Sequence, residues 1–138
     1  MTAIFEPTRA KLAEIVAAFQ AANYPSIEFN YPKRWVTDVE HCSTYFVGVE
    51  WQMSSQGRSI PAHQCVTVSG ILAITQYCRA NSGQTIFTQF SDKLSDYLGL
   101  KTINGITFYE VNPHEDSGRP GFDGVMNVVN FYIDYFNI

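Results

Sequence analysis

Apolar and polar residues alternate with two different periods along this chain, and the changes of period divide it into elements. Between Ile4 and Ala22, Leu12, Ile15, Val16 and Phe19 recur at helical spacing, while Lys11, Glu14 and Gln20 fall elsewhere on the wheel. This predicts an amphipathic helix with Pro7 in its first turn and Asn23-Tyr24-Pro25 as its stop. Ile27, Phe29 and Tyr31 then alternate with Glu28 and Asn30, a short strand closed by Pro32. A loop from Arg34 to Ser43 follows, with Trp35 as an anchor or a core residue.

Two long runs of period two come next. In Thr44–Ser54 one face carries Tyr45, Val47, Val49, Trp51 and Met53. In Gln64–Cys78 one face carries Val66, Val68, Leu72 and Ile74. Ser55–Pro61 between them has loop composition, so a long β-hairpin with a polar, protruding tip is expected. After Ala80-Asn81-Ser82-Gly83 the helical period returns over Gln84–Leu98, with Ile86, Phe87, Phe90, Leu94, Tyr97 and Leu98 on one stripe. Gly99 is placed to end that helix in the left-handed conformation. Ile103-Asn104-Gly105-Ile106 reads as a tight turn into a strand at Thr107–Val111. Asn112–Gly124, with its prolines and glycines, predicts an irregular loop. The closing run, Val125–Phe136, is apolar or aromatic on both faces, which predicts a central strand or one covered by a further layer or subunit.

Two helices with one apolar stripe each need a sheet to bury them. The expected fold is a single α+β domain over residues 1–138, an antiparallel sheet of four to five strands with two helices packed on one face. At 138 residues the chain buries enough surface to need neither disulfide nor metal.

Composition narrows the functional classes. The chain is 16% charged and 14% aromatic, a balance that favours an outer surface covered by a partner. Its formal net charge is −4 with no Lys/Arg cluster, so it is not built to grip nucleic acid. Cys42, Cys65 and Cys78 are odd in number and widely spaced, which predicts core thiols in a reducing compartment. No basic and apolar leader and no membrane-length apolar run is present, so a cytoplasmic site of synthesis is expected.

Catalytic patterns are missing. The chain has no H-E-x-x-H, no phosphate-binding glycine loop and no G-x-S-x-G elbow. His114, Glu115 and Asp116, with Asp123 beyond, have the oxygen ligands of a cation site but read as a solvated acidic loop. His41-Cys42 beside Glu40 has the residue types of a thiol nucleophile but no orienting partner. The expectation is a non-enzymatic chain without cofactor or metal, whose function lies in loop tips and strand edges.

The order of these segments resembles the tail terminator, or tail completion, proteins of long-tailed bacteriophages. A first helix runs into Ile27-Glu28-Phe29-Asn30-Tyr31-Pro32, followed by Tyr45-Phe46-Val47-Gly48-Val49-Glu50, a hairpin, and Val68-Ser69-Gly70-Ile71-Leu72-Ala73-Ile74. A second helix over Ser82–Leu94, the turn and strand of Asn104–Phe108, and the closing Val129–Phe136 complete the likeness over nearly the whole chain. The resemblance implies a homohexameric ring at the head-proximal end of a tail tube. Such a ring halts tube growth, contacts the tube protein and presents a docking surface to the head-side connector. DNA passes through it without specific binding, no membrane is involved, and the ring resides in the virion after assembly in the host cytoplasm. The loops at 55–63 and 112–124 are then the expected partner contacts. Arg58 and Arg119 are candidates for ionic contacts, and Glu115 and Asp116 accompany them. Two alternatives stand beside it, another head–tail joining or minor virion protein, and a small ligand-binding α+β domain.

Overall fold

The computed structural model describes residues 3–31, 45–60, 63–79, 84–116 and 122–136. Helix α1 spans Phe5–Asn23 and buries Thr8, Leu12, Ile15, Val16 and Phe19, the predicted stripe with one polar member. Thr8 belongs inside because its hydroxyl is satisfied twice. It donates to the Ile4 carbonyl at 2.7 Å and lies 2.7 Å from the Tyr135 hydroxyl. Lys11 extends over the ring of the same tyrosine. At the far end, Gln20 donates to the Ile27 carbonyl and fixes the turn out of the helix.

The sheet comprises β1 (Glu28–Asn30), β2 (Tyr45–Ile60), β3 (His63–Arg79), β4 (Thr102–Ile103), β5 (Ile106–Phe108), β6 (Asn112–Asp116) and β7 (Phe122–Phe136). Their order is β1-β2-β3-β7-β5-β4, with β6 also on β7. The chain is therefore α+β with two helices, but the sheet has seven strands and is mixed rather than four to five strands and antiparallel. The mixing comes from β1, which runs parallel to β2, with Phe29 opposite Val47. The extra strands are β4, one arm of the Asn104-Gly105 turn, and β6, in a segment whose composition suggests a loop.

The hairpin also differs from the expectation. Ser55–Ile60 is not loop but the end of β2, paired in unbroken register from Tyr45↔Cys78 to Ile60↔His63. Polar residues are tolerated there because the ladder supplies the backbone hydrogen bonds whatever the side chains are. Asn112–Asp116 is likewise not loop but pairs with β7 from Asn112↔Val128 to Asp116↔Gly124. Pro113 is accommodated because β7 is its single strand neighbour among the described residues, the edge position that proline permits. Between Phe108↔Phe131 and Asn112↔Val128 the register shifts by one, so β5 and β6 form one strand interrupted by a bulge at Tyr109–Val111.

Helix α2 occupies Gln84–Leu98, as the period predicts. Its end differs in detail. The Gly99 amide continues the helical pattern to the Ser95 carbonyl, and the left-handed residue is Leu100, at φ 58°. Leu100 holds that conformation because its amide donates to the Tyr109 carbonyl, docking the helix end on the bulge. The Asn104-Gly105 turn has positive φ at both residues, as a two-residue hairpin turn requires.

Alternation assigns one sheet face to the helices. Val47, Val49, Val68, Leu72, Ile74, Ile106, Phe108, Val129, Phe131 and Ile133 form one core with Leu12, Ile15, Val16 and Phe19 of α1 and Phe90, Leu94 and Leu98 of α2. Phe19 joins the two helices, meeting Phe90 edge-on at 5.6 Å and Tyr97 at 5.5 Å.

Candidate interaction surface

Strand pleating sends every second residue of β2, β3 and β7 to the side away from the helices. The registers align these residues in rows across the sheet: Glu50, Ala73 and Val128; Gln52, Ile71 and Asn130; Ser54, Ser69 and Tyr132; Gln56, Thr67 and Asp134. Thr75 and Tyr77 are buried at one end of this face, whereas Gln52, Ile71, Asn130 and Asp134 are exposed. Both faces of β7 are apolar in sequence for this reason. One packs under the helices, and the other, with Met126, Val128 and Tyr132 half-buried, lies on a face that no helix of the described residues covers.

Two concavities mark the open face. A cleft of about 580 Å³ is lined by Thr67, Ser69, Ile71, Tyr109, Asn130, Tyr132 and Asp134. The β5–β6 bulge brings Tyr109 to it, and the Tyr109 and Tyr132 rings lie 6.0 Å apart. Asp134 accepts a hydrogen bond from the Thr67 hydroxyl across the β3–β7 pair. A smaller hollow of about 220 Å³ lies between Glu50, Gln52, Ile71, Ala73, Met126 and Val128. A third recess, about 280 Å³, separates α2 from β6 and is lined by Phe87, Asp92, Pro113, His114 and Glu115 among others.

The predicted contact residues scatter. Arg58 lies near the end of β2, opposite Cys65, and its side chain is outside the described residues. Arg119 is outside them altogether, as are Trp35, His41 and Cys42. Glu115 is exposed on β6 beside the third recess, and Asp116 ends that strand. Among the described residues no group of three His, Cys, Asp or Glu side chains is arranged to hold a metal ion. The cleft residues Tyr109, Asn130, Tyr132 and Asp134 escape sequence inspection, because their convergence depends on the register of β3 on β7 and on the bulge. The alternation of β7 is the one sequence signal that points to them.

Two buried polar side chains, Asn127 and Gln76, are satisfied and serve packing. Asn127 is fully buried, donates to the Ile74 carbonyl at 3.1 Å and accepts from the Ser91 hydroxyl at 2.6 Å. Gln76, also fully buried, donates to the Phe87 carbonyl at 2.8 Å. These bonds fasten α2 to the middle of the sheet. Burial pushes the Cys78 thiol up to about 11, with the Asp123 carboxylate adding to the effect, so it is an inert core thiol rather than a nucleophile.

No known protein family matches the sequence, and no curated protein matches it. Twelve solved chains match in structure. One superposes with a TM-score of 0.66 over 99% of this chain and 100% of its own, at 9% identity, and its name states no activity. At that identity the likeness shows the fold alone. No helix among the described residues is long and apolar enough to cross a membrane.

Proposed function

We propose that this chain is a structural subunit that assembles through the open face and strand ends of its sheet, forming a ring at the head-proximal end of a phage tail tube. The observation that carries the subunit role is the face opposite the helices. It combines exposed Ile71, Tyr109 and Phe136 with half-buried Met126, Val128 and Tyr132, an apolar and aromatic surface of the kind that protein contacts cover. The long β2–β3 hairpin provides a second, different surface on the same subunit. Unlike surfaces that meet head to tail close into a ring where the rotation between subunits closes. The specific assignment to tail termination rests on the resemblance in segment order, with the tube protein and the head-side connector as partners and DNA passing through unbound.

Native mass spectrometry of the purified chain, together with its localisation on isolated tails, tests this. Six chains per particle and a position at the head-proximal end of the tube are expected. A monomer at high micromolar concentration that never associates with tail tubes would refute it. Location elsewhere in the head–tail junction would favour the joining-protein alternative instead.

A further inference from the structure

The cleft beside Tyr109 and Tyr132 contains one charged group, Asp134, and that charge has no cation near it among the described residues, where the one ion pair is Arg9–Glu6. An ionised carboxylate offers about four acceptor positions, and Thr67 fills one of them. Asp134 lines a concavity that Tyr109, Tyr132 and Asn130 also line, with the two tyrosine rings 6.0 Å apart. An apolar occupant would strip water from Asp134 without replacing its hydrogen bonds, which is costly, and a neutral donor would leave its charge uncompensated. An anionic occupant would add repulsion. A cation compensates the carboxylate and is drawn to the ring faces as well.

The dimensions favour a planar cation. Tyr132 and Asp134 are alternate residues on one face of β7, so their Cα atoms are about 7 Å apart along the strand. A cation engages a ring within about 6 Å of its centroid. A guanidinium stacked on Tyr132 therefore reaches the Asp134 carboxylate with its N–H fork, a geometry that an ammonium point charge uses less well.

We propose that this cleft receives an arginine side chain presented by a partner protein. The proposal stands apart from the ring assignment, because it requires only the open face of the folded chain. Within the chain, Arg58 is the arginine to be distinguished from such a partner, since its position on β2 pairs with Cys65, two residues along β3 from Thr67.

The test is an NMR titration of the full isotope-labelled chain with N-acetyl-arginine amide, using N-acetyl-citrulline amide as the neutral isostere. Saturable shifts at Thr67, Tyr109, Asn130 and Tyr132 are expected with arginine. The response should weaken about tenfold with citrulline, in Asp134→Asn and in Tyr109→Ala, the loss of one charge-assisted contact or one ring face. Both positions are exposed, so the variants should keep the wild-type unfolding midpoint. Equal responses to arginine and citrulline, or no saturable response, would overturn the proposal. A response that emerges only in Arg58→Gln would assign the cleft to an internal contact and overturn it equally.

Discussion

The Ser91–Asn127–Ile74 link offers a quantitative test of how α2 is held on the sheet. Asn127→Ala deletes two hydrogen bonds, each contributing about 1 kcal/mol net. It also leaves the Ile74 carbonyl without that partner in a fully buried setting, where an unsatisfied group costs about 1–3 kcal/mol, and deprives the half-buried Ser91 hydroxyl of its acceptor. Partial relaxation offsets some of this, so a loss of about 3–4 kcal/mol is expected, a large share of the roughly 5–15 kcal/mol that holds a domain together. Ser91→Ala removes one bond from a half-buried hydroxyl and should cost about 1–2 kcal/mol. Because the side chains share a bond, the double variant should cost about 1 kcal/mol less than the sum of the singles. Urea unfolding followed by circular dichroism measures all three, with an unchanged m-value confirming that compactness is preserved. Additivity within about 0.3 kcal/mol, or a loss below about 1 kcal/mol for Asn127→Ala, would refute the role assigned to this link.

The same position gives a pH signature. In Asn127→Asp the protonated acid can still donate toward the Ile74 carbonyl, whereas the carboxylate faces that oxygen without a proton. The folded pKa therefore rises above the unfolded value of about 3.9. Stability should approach wild type below about pH 4 and fall as pH rises through the folded pKa. A variant whose deficit is independent of pH would contradict this.

Three further outcomes follow from the packing. A Cβ at Gly70 would stand 1.8 Å from the Gln52 carbonyl oxygen, so Gly70→Ala should fail to fold or lose more than about 4 kcal/mol, read as insoluble expression or a collapsed unfolding midpoint. Gly105→Ala forces a side chain to φ 83° in the β4–β5 turn and should cost about 1 kcal/mol by urea unfolding, without changing the fold seen by circular dichroism. Cys78, 2% exposed and with its thiol raised to about 11 from an ordinary 9.0, should resist iodoacetamide at pH 8 in the folded chain and react in urea, as read by peptide mass spectrometry. Its folded value is above its unfolded one, so its contribution to stability is complete below about pH 9 and is lost as pH rises toward 11.

Much of the fold is written in local periodicity. The helices at Phe5–Asn23 and Gln84–Leu98, the helix-facing residues of β2, β3 and β7, and the Asn104-Gly105 turn all follow from residue spacing and turn chemistry. These are properties of a few consecutive residues, so the chain declares them without its neighbours. The doubly apolar pattern of β7 likewise announces that its second face is not ordinary solvent-facing surface. Local chemistry misled where pairing could override it. Ser55–Ile60 and Asn112–Asp116 look like loops, yet each lies along a long partner strand that satisfies its backbone. The left-handed residue shifted from Gly99 to Leu100 because the Tyr109 carbonyl, distant in sequence, was there to accept its amide. The parallel pairing of β1, the bulge that brings Tyr109 to Tyr132, and the approach of Asp134 to Thr67 are decided by register between segments far apart in the chain. Sequence thus determined which residues turn inward, while tertiary structure decided which outward residues meet. Period is a property of one strand, but a cleft requires the alignment of three.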